Sequence, residues 1–393
     1  MHRLLVAFFL MLGGFDAWAE DSFWDGLQVH GFASQAVIKT SDNRFFGDSP
    51  DTSFAFTEIG INASLPVSPQ ILLAGQLLSR RAGDLYDGAP ALDYGLADLT
   101  FASSVEQRWG VRLGRIKNPL GLYNETRDVP FTHPGIFLPQ VVYFDKIRNQ
   151  LLSTDGLMLY GEWRGDQGAI SFTAGGGQSV VDENAKWTYL PLSYRFEGEF
   201  KQKDPAALFS LWYATPNERF KFGLSGMALE LQLHPGPGSP LNAGTVELFY
   251  GIASLQYNAE DWTLSAEYVY EPIEWRNILF PYTKATVESY YLQGTYRLRP
   301  ELEALLRYEA YANPDDRDGT KTSAITGGLI PPFNTFSKIW TTGLRWDINQ
   351  QWMMRAEYQR HHGTFILSAR ENPDFSELQE DWNLFAIQAA FRF

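Results

Sequence analysis

Cysteine is absent from this chain of 393 residues. Without thiols the protein can form no disulfide scaffold, no thiolate metal site and no thiol-based catalytic centre. Long apolar runs are also absent, because after Ala19 no stretch reaches the roughly 18 apolar residues that a membrane-spanning helix needs. The composition therefore excludes a helical membrane protein.

Positive charge and histidine are both scarce. The chain has 32 Lys and Arg against 46 Asp and Glu, and its net charge of −14 argues against a nucleic-acid partner. His30 and Ser34 share a strand face, but a pair at that spacing is commonplace, so we expect no enzymatic activity and no cofactor. The acidic segment 313–319 lacks the spacing of a calcium loop, and His361–His362 would bind a metal only adventitiously. We therefore expect no metal site.

The first 19 residues have the pattern of a secretory signal peptide. Arg3 supplies a positive charge, residues 4–15 are apolar but too short to span a bilayer, and Ala17–Ala19 is a small-x-small cleavage site. An N-terminal anchor helix is the alternative, which is disfavoured because nothing after Ala19 extends the apolar run. We expect a mature chain of residues 20–393 that forms one domain.

Aromatic residues are abundant, at 15% of the chain, whereas the mean hydropathy is only −0.24. Strands of a transmembrane β-barrel expose only every second residue to lipid, so such barrels combine many aromatic residues with modest hydropathy. Together with a signal peptide, this composition indicates an all-β outer-membrane barrel.

Period-two alternation supports that interpretation. Residues 383–393 (NLFAIQAAFRF) place five apolar side chains on one face and end in a phenylalanine. Segments 262–270, 302–310 and 352–359 alternate in the same way. A soluble sandwich also alternates, but here tryptophans stand within a residue or two of short turns, as in an interfacial girdle: Trp109, Trp163, Trp262, Trp346 and Trp352.

The strand count gives the architecture, an antiparallel transmembrane barrel of about 16 strands with an even number of crossings. Its connections alternate between short turns and long loops, including 118–154, 215–243, 271–286, 312–336 and 361–381, and both termini are expected in the periplasm. We place strands at 27–39, 53–66, 70–81, 94–103, 109–117, 155–163, 168–178, 189–200, 206–214, 244–257, 262–270, 287–297, 302–311, 337–347, 352–360 and 382–393.

A barrel of this size leaves an aqueous channel unless something folds into it. Loop 118–154, after the fifth strand, is the longest, and we expect it to fold inward and form the constriction. The charged residues of this loop and of the strand end before it are the candidates for the pore constriction: Arg115, Lys117, Glu125, Arg127, Asp128, Asp145, Lys146 and Arg148.

The centre of this loop, residues 129–144, is largely apolar and needs cover, because exposed apolar surface costs about 25 cal/mol per Å². We expect it to pack on the barrel wall. Crossing the lumen as a plug, docking on a neighbouring subunit, and forming a greasy track for an amphipathic or aromatic solute are the alternatives.

Charges of both signs alternate along the wall faces that point away from lipid. Such a mixture predicts a solvated lumen with a transverse field, whereas rings of one sign would predict strong ion selectivity. The lumen-wall candidates are Arg195, Glu197, Glu267, Arg307, Glu309, Arg345, Arg355 and Glu357.

The fifth strand contains a conflict, since Arg115 and Lys117 share parity with the apolar residues Val111 and Leu113. Cations facing lipid cost roughly 2–4 kcal/mol each at the bilayer midplane and far less near the rim. Either the strand has left the hydrocarbon by Arg115, or a bulge at Gly114 turns both cations into the lumen. We favour the bulge.

The chain resembles the bacterial porins, and within them the branch that includes the phosphate-selective porins. The resemblance rests on a Gly-x-aliphatic-Lys-x-Pro motif at Gly114, Ile116, Lys117 and Pro119, and on Arg148–Asn149 before the strand at 155–163. It implies a trimeric diffusion porin. A ladder of lumen arginines, on which phosphate selectivity depends in that branch, cannot be placed here, so no anion substrate is implied.

The sequence thus predicts an outer-membrane diffusion channel for small hydrophilic solutes or ions. A channel selective for an organic acid, a phosphate-like anion or an amphipathic compound is the alternative. The expected partners are outer-membrane lipid, lipopolysaccharide, two further copies of the chain and the solutes in transit.

Overall fold

The computed structural model describes Trp24 and residues 26–190, 197–281 and 283–393, so the predicted signal peptide lies outside the described residues. Strands dominate it: β1 Gln28–Thr40, β2 Ser53–Ser68, β3 Ile71–Ala82, β4 Tyr86–Ser103, β5 Gln107–Lys117, β6 Ser153–Gly165, β7 Gly168–Ser179, β8 Gly198–Gln202, β9 Ala206–Ala214, β10 Phe220–Pro235, β11 Gly244–Asn258, β12 Trp262–Arg276, β13 Lys284–Arg299, β14 Leu302–Ala312, β15 Ser337–Asp347, β16 Trp352–His362 and β17 Asp381–Arg392.

These segments form a closed antiparallel barrel of 16 strands, as predicted. Segments β8 and β9 both pair with β10, at Leu231–Pro235 and Lys221–Ala228 respectively, so they are two parts of one barrel strand. Pro205, which has no N–H to donate, stands in the interruption between them. The ring closes where β1 pairs with β17, from Phe32 opposite Arg392 to Thr40 opposite Leu384.

Two predicted segments are wrong although the total is right. Of the predicted strand at 189–200, Tyr189 belongs to a helix, Glu183–Tyr189, and residues 191–196 lie outside the described part of the chain. The strand segment described there is Gly198–Gln202. The predicted loop at 215–243 contains β10, a strand of 16 residues. Its interior side carries Met227, Leu229, Leu231 and Leu233, all nearly fully buried, so its apolar character hid the alternation.

The alternation divides the wall into two faces. In β17, Leu384 and Ala386 are fully buried in the interior, whereas Phe385 and Ile387 are exposed on the outside. The predicted tryptophans lie at the ends of strands near short turns, and Trp163, Trp262, Trp346 and Trp352 are all exposed on the outer surface. The outer face is therefore an apolar band with an aromatic border.

The two ends of the barrel differ in their connections. One end has only turns of two to five residues, from 69–70 to 348–351, and strand β1 begins and strand β17 ends there. The other end carries the described loop segments 41–52, 118–152, 180–190, 313–336 and 363–380, with the short helices α1 Arg148–Leu152, α2 Glu183–Tyr189 and α3 Thr320–Ile325. None of the helices described is both long and apolar enough to cross a membrane.

Candidate functional site

Loop 118–152 lies inside the barrel and crosses it. Its apolar centre is buried, with Val141 0% and Phe144 3% exposed. Asp145 accepts a hydrogen bond from Arg80 of β3 at 2.8 Å, and the Gly121 N–H donates to Ser225 of β10, on the opposite side of the ring, at 2.9 Å. The loop therefore packs against the wall on both sides of the ring and spans the lumen, which combines the predicted packing on the wall with the alternative of a loop that crosses the lumen.

Wall carboxylates hold this loop by its backbone. Glu267 accepts the Leu122 N–H at 2.8 Å and the Tyr143 hydroxyl at 2.5 Å. Glu357 accepts the Ile136 N–H at 2.6 Å, and Glu309 accepts an N–H from the loop at 3.3 Å. A largely irregular loop leaves many backbone amides unpaired, and buried amides need acceptors, which these side chains provide.

Wall arginines satisfy the loop carbonyls in the same way. Arg307 donates to Phe137 O at 3.2 Å, Arg345 to Phe131 O at 3.2 Å and Arg355 to His133 O at 3.0 Å. Arg307 also pairs with Glu309 at 2.7 Å. The opposite charges are therefore interspersed because the loop backbone needs both donors and acceptors.

The prediction of a solvated wall is wrong for most of these residues. Glu267, Arg307, Glu309, Arg355 and Glu357 are each at most 2% exposed, because the loop covers them. Arg345 is half-buried, and Glu197 is exposed at the end of the barrel with the long loops. Arg195 lies outside the described residues.

A buried network of ions fixes the base of the loop. Lys117 Nζ lies 2.6 Å from Asp93 and 2.5 Å from Asp128, and Arg148 Nε donates to Asp128 at 3.0 Å. Asp93 faces inward because β4 has a register shift there, and Gln76 donates to it at 2.7 Å. The network joins both ends of loop 118–152 to the wall, so the loop is anchored where it leaves and rejoins the barrel.

A second group lies next to it. Asp145 accepts from Gln140 at 2.9 Å and lies 3.5 Å from Arg127, which donates to Tyr143 O at 2.9 Å. Arg80, which bonds Asp145, also pairs with Glu58 at 2.9 Å. The interior thus contains continuous chains of paired charges.

The structure separates the two cations of the fifth strand. Arg115 lies on the outward-facing side with Leu113 and pairs with Asp155 at 2.7 Å, whereas Lys117 turns into the interior. The predicted bulge at Gly114 is wrong, because β5 stays in unbroken register with β6, and the nearby register shifts occur in β4. Gly114 instead has a φ of +121°, and a Cβ there would lie 2.3 Å from Gly95 O.

Burial and neighbouring charges set the protonation of the loop groups. Burial opposes ionisation of Asp128, but Arg148 and Lys117 hold its pKa well below its usual range. Burial and the nearby Arg355 lower the pKa of His133 well below its ordinary value, so this imidazole is neutral. Burial also lowers the pKa of Lys146, to about 7.

The interior is wetter towards the end with the short turns. Glu125 is half exposed and lies 3.8 Å from Arg112, which pairs with Asp98 at 3.1 Å. Asp347, which pairs with Arg345 at 3.0 Å, is 40% exposed at its side chain. Of the candidates for the constriction, Glu125 is therefore the one that meets solvent most fully among the described residues.

Glu371 ties together three loops at the opposite end. It accepts hydrogen bonds from the backbone N–H groups of Phe46 at 3.0 Å, Gly47 at 2.6 Å and Asp84 at 3.2 Å. Its burial outweighs these donors and raises its pKa to about 7. The carboxyl group is thus poised to change charge near neutral pH.

Several residues of the site escaped the sequence analysis. Glu58 is the one charged residue of its alternating strand, and Arg80 stands beside Arg81 near the end of the next strand, signals that could have identified both. Asp93 has no such signal, since the register shift that turns it inward is not visible in the sequence. Among the described residues, no group of three His, Asp or Glu side chains is arranged to hold a metal ion.

Comparison with known proteins agrees with this architecture. No protein-family model and no curated sequence matches the chain. Among solved structures, it is similar to OmpT of Vibrio cholerae in its trimer form, with a TM-score of 0.56 and 10% identity over 93% of this chain and 99% of that one.

Two further similar structures are channels. The outer membrane channel DcaP of Acinetobacter baumannii matches with a TM-score of 0.54 and 13% identity over 93% of this chain and 97% of that one. An anion-selective porin from Comamonas acidovorans matches with a TM-score of 0.54 and 12% identity over 93% and 99%. The chain therefore has the fold of the outer-membrane porins.

Proposed function

We propose that this protein is an outer-membrane channel of the porin type that passes small solutes through a lumen narrowed by loop 118–152. A 16-stranded barrel is wide enough for an aqueous channel unless it is filled. The observation that carries the proposal is the loop itself, which reaches both sides of the ring from Arg80 to Ser225. A loop that crosses the lumen reduces the cross-section through which a solute can pass.

The same observation favours a restrictive channel over a wide diffusion pore. The buried charged side chains of the wall form hydrogen bonds with the loop backbone, so they are not accessible to a solute. Cavities of about 270 Å³ and 210 Å³ remain on the long-loop side and beside Arg115 and Arg148. Spaces of this size suit single small molecules, so we favour the substrate-selective channel, which the sequence analysis gives as the alternative, over the predicted diffusion channel.

The setting of the channel belongs to the same proposal. The apolar outer band with its tryptophan border fits the outer membrane, with lipopolysaccharide around the long loops and the strand ends β1 and β17 in the periplasm. A homotrimer is supported by the similar OmpT structure in trimer form. A relation to the phosphate-selective porins rests on the motif from Gly114 to Pro119 alone, and no enzymatic role is proposed.

Planar-bilayer recording on the purified, folded full chain tests the function. We expect discrete conductance steps that are smaller than those of an open 16-stranded porin recorded in the same salt. Heat-modifiable migration on a gel shows that the barrel is folded. Complete silence of such folded protein would refute the channel, and steps as large as those of the open porin would refute the restriction.

A further inference from the structure

A cavity of about 270 Å³ lies in the barrel interior, at the end with the long loops. Loop 118–152, which crosses the barrel, borders this cavity. Loop residues Phe144 and Lys146 form part of its wall, and loops 313–336 and 363–380 form its rim. Helix α2 closes one side with Trp187 and Tyr189. A solute that enters the barrel from this end meets this cavity before it meets the crossing loop.

Aromatic side chains in fixed orientations line the cavity. The Trp275 indole N–H donates to Tyr189 O at 3.0 Å. Tyr311 stacks on Phe365 with a centroid distance of 3.5 Å, and Phe144 meets Phe365 edge to face at 5.8 Å. Aromatic walls that are already held in place bind a flat apolar ring without further ordering.

Lys146 brings to this cavity an amine that is positively charged when it is protonated. It is 8% exposed, donates to Phe365 O at 2.7 Å, and lies over the Phe365 ring at 3.5 Å from the centroid. An ammonium group has three donors, and the carbonyl takes only one of them. The group is therefore fixed in place and still able to donate to an acceptor inside the cavity.

Glu271 of β12 brings a carboxylate to the same cavity. It is 4% exposed, and its charge and that of Lys146 act on each other across the cavity. No hydrogen bond or ion pair joins its carboxylate to Lys146 or to another described residue. Asp316, on the rim, differs because its carboxylate already accepts from Thr322 N at 2.8 Å and Lys321 N at 3.0 Å. Burying an unpaired carboxyl group is costly, so Glu271 is the group of this cavity that most needs a partner.

We propose that this cavity binds a small aromatic zwitterion, a molecule with one ring, one ammonium group and one carboxylate. Glu271 accepts from the ammonium group, Lys146 donates to the carboxylate, and the ring lies against Trp275 and Tyr311. An aromatic acid would leave Glu271 without a donor, and an aromatic amine would leave Lys146 with Phe365 O as its acceptor and its other donors unused. A zwitterion satisfies both.

This inference rests on the proposed channel function and names the class of substrate. Binding is measured separately from conduction, by calorimetry on the folded full chain in detergent. The probes are L-phenylalanine, 3-phenylpropionate without the amine, 2-phenylethylamine without the carboxylate, and L-alanine without the ring. We expect L-phenylalanine to bind roughly 10- to 100-fold more tightly than each of the others, since a hydrogen bond to a charged group contributes about 1.5–3 kcal/mol.

Two variants assign the polar contacts. Glu271→Gln should remove the advantage of L-phenylalanine over 3-phenylpropionate, and Lys146→Met should remove its advantage over 2-phenylethylamine. Glu106→Gln, in an exposed turn at the other end of the barrel, is the matched control and should change neither. Because the ligand series on the unchanged protein already tests the idea, a variant that fails to fold does not prevent a decision.

The outcomes separate the two proposals. If the protein conducts but L-phenylalanine binds no better than 3-phenylpropionate or 2-phenylethylamine, the zwitterion site is overturned and the channel stands. If L-phenylalanine binds with the expected preference to folded protein that never conducts, the site stands and the channel is overturned.

Discussion

Glu267 offers the sharpest test of how the crossing loop is held. Its carboxylate accepts four hydrogen bonds, from Leu122 N at 2.8 Å, Ser254 Oγ at 2.6 Å, Tyr143 Oη at 2.5 Å and Tyr291 Oη at 3.0 Å. Two of these donors belong to the loop and two to the wall. Glu267→Gln keeps the shape but replaces one acceptor oxygen with a donor.

The size of the effect follows from these contacts. A hydrogen bond to a charged group contributes roughly 1.5–3 kcal/mol, and one oxygen remains as an acceptor, so attachment of the loop should weaken by roughly 2–4 kcal/mol. Since about 1.4 kcal/mol is a factor of ten, the released fraction of the loop should rise roughly 30- to 700-fold. Release of the loop uncovers the lumen.

Limited trypsin digestion and bilayer recording measure that release. Arg127, Lys146 and Arg148 of the loop are 7%, 8% and 4% exposed, so trypsin should cut there only after the loop leaves the wall. In Glu267→Gln we expect faster cleavage at these residues together with larger and noisier conductance steps. Glu106→Gln is the control for an exposed glutamate. Wild-type cleavage and conductance in folded Glu267→Gln would refute the idea that the wall carboxylates hold the loop.

Further predictions concern the fifth strand and the outer loops. Gly114→Ala should reduce the folded, heat-modifiable fraction, because φ is +121° and the new Cβ would lie 2.3 Å from Gly95 O. Lys117→Met should lower the free energy of unfolding in urea by about 3–5 kcal/mol, because it leaves two buried aspartates without their partner. Arg115→Ala should lower it by only about 0–1 kcal/mol, because the ion pair of Arg115 is partly exposed. Equal losses would contradict the assignment of the two residues to opposite faces. The pKa of Glu371 is raised to about 7, so its contribution to the stability of the folded loops is complete below about pH 4.5 and is lost as pH rises through 7. Backbone hydrogen exchange in the loops that it bonds should therefore become faster from pH 5.5 to 8 by more than the intrinsic pH dependence of exchange. Glu371→Gln should remove this additional acceleration.

The wrong assignment of β10 changed the predicted fold little, but it changed the predicted interior of the barrel considerably. The sequence predicts a loop over 215–243, which contains β10, because Met227, Leu229 and Leu231 make the inner side of that strand as apolar as the outer. That inner side belongs to the same buried apolar cluster as Val141, Tyr143 and Phe144 of the loop. An apolar interior on this part of the wall therefore weakened the alternation of β10.

The sequence by itself determined the barrel. The barrel could be predicted from local features, namely period-two alternation, short turns and the positions of tryptophans. Each strand carries these features independently of the others. One missed strand and one strand counted as two therefore left the predicted fold class and the number of 16 strands correct. The sequence also indicated that the loop after the fifth strand folds inward, because an apolar segment of that length needs cover.

Only the tertiary structure decided what the interior charges do. Glu267, Glu309 and Glu357 bind backbone N–H groups, and every non-proline residue has such a group, so no residue pattern identifies the partner. The inward turn of Asp93 depends on a register shift between neighbouring strands, and the outward position of Arg115 depends on unbroken register with β6. These are relations between distant segments, and they exist only once the barrel has closed around its loop.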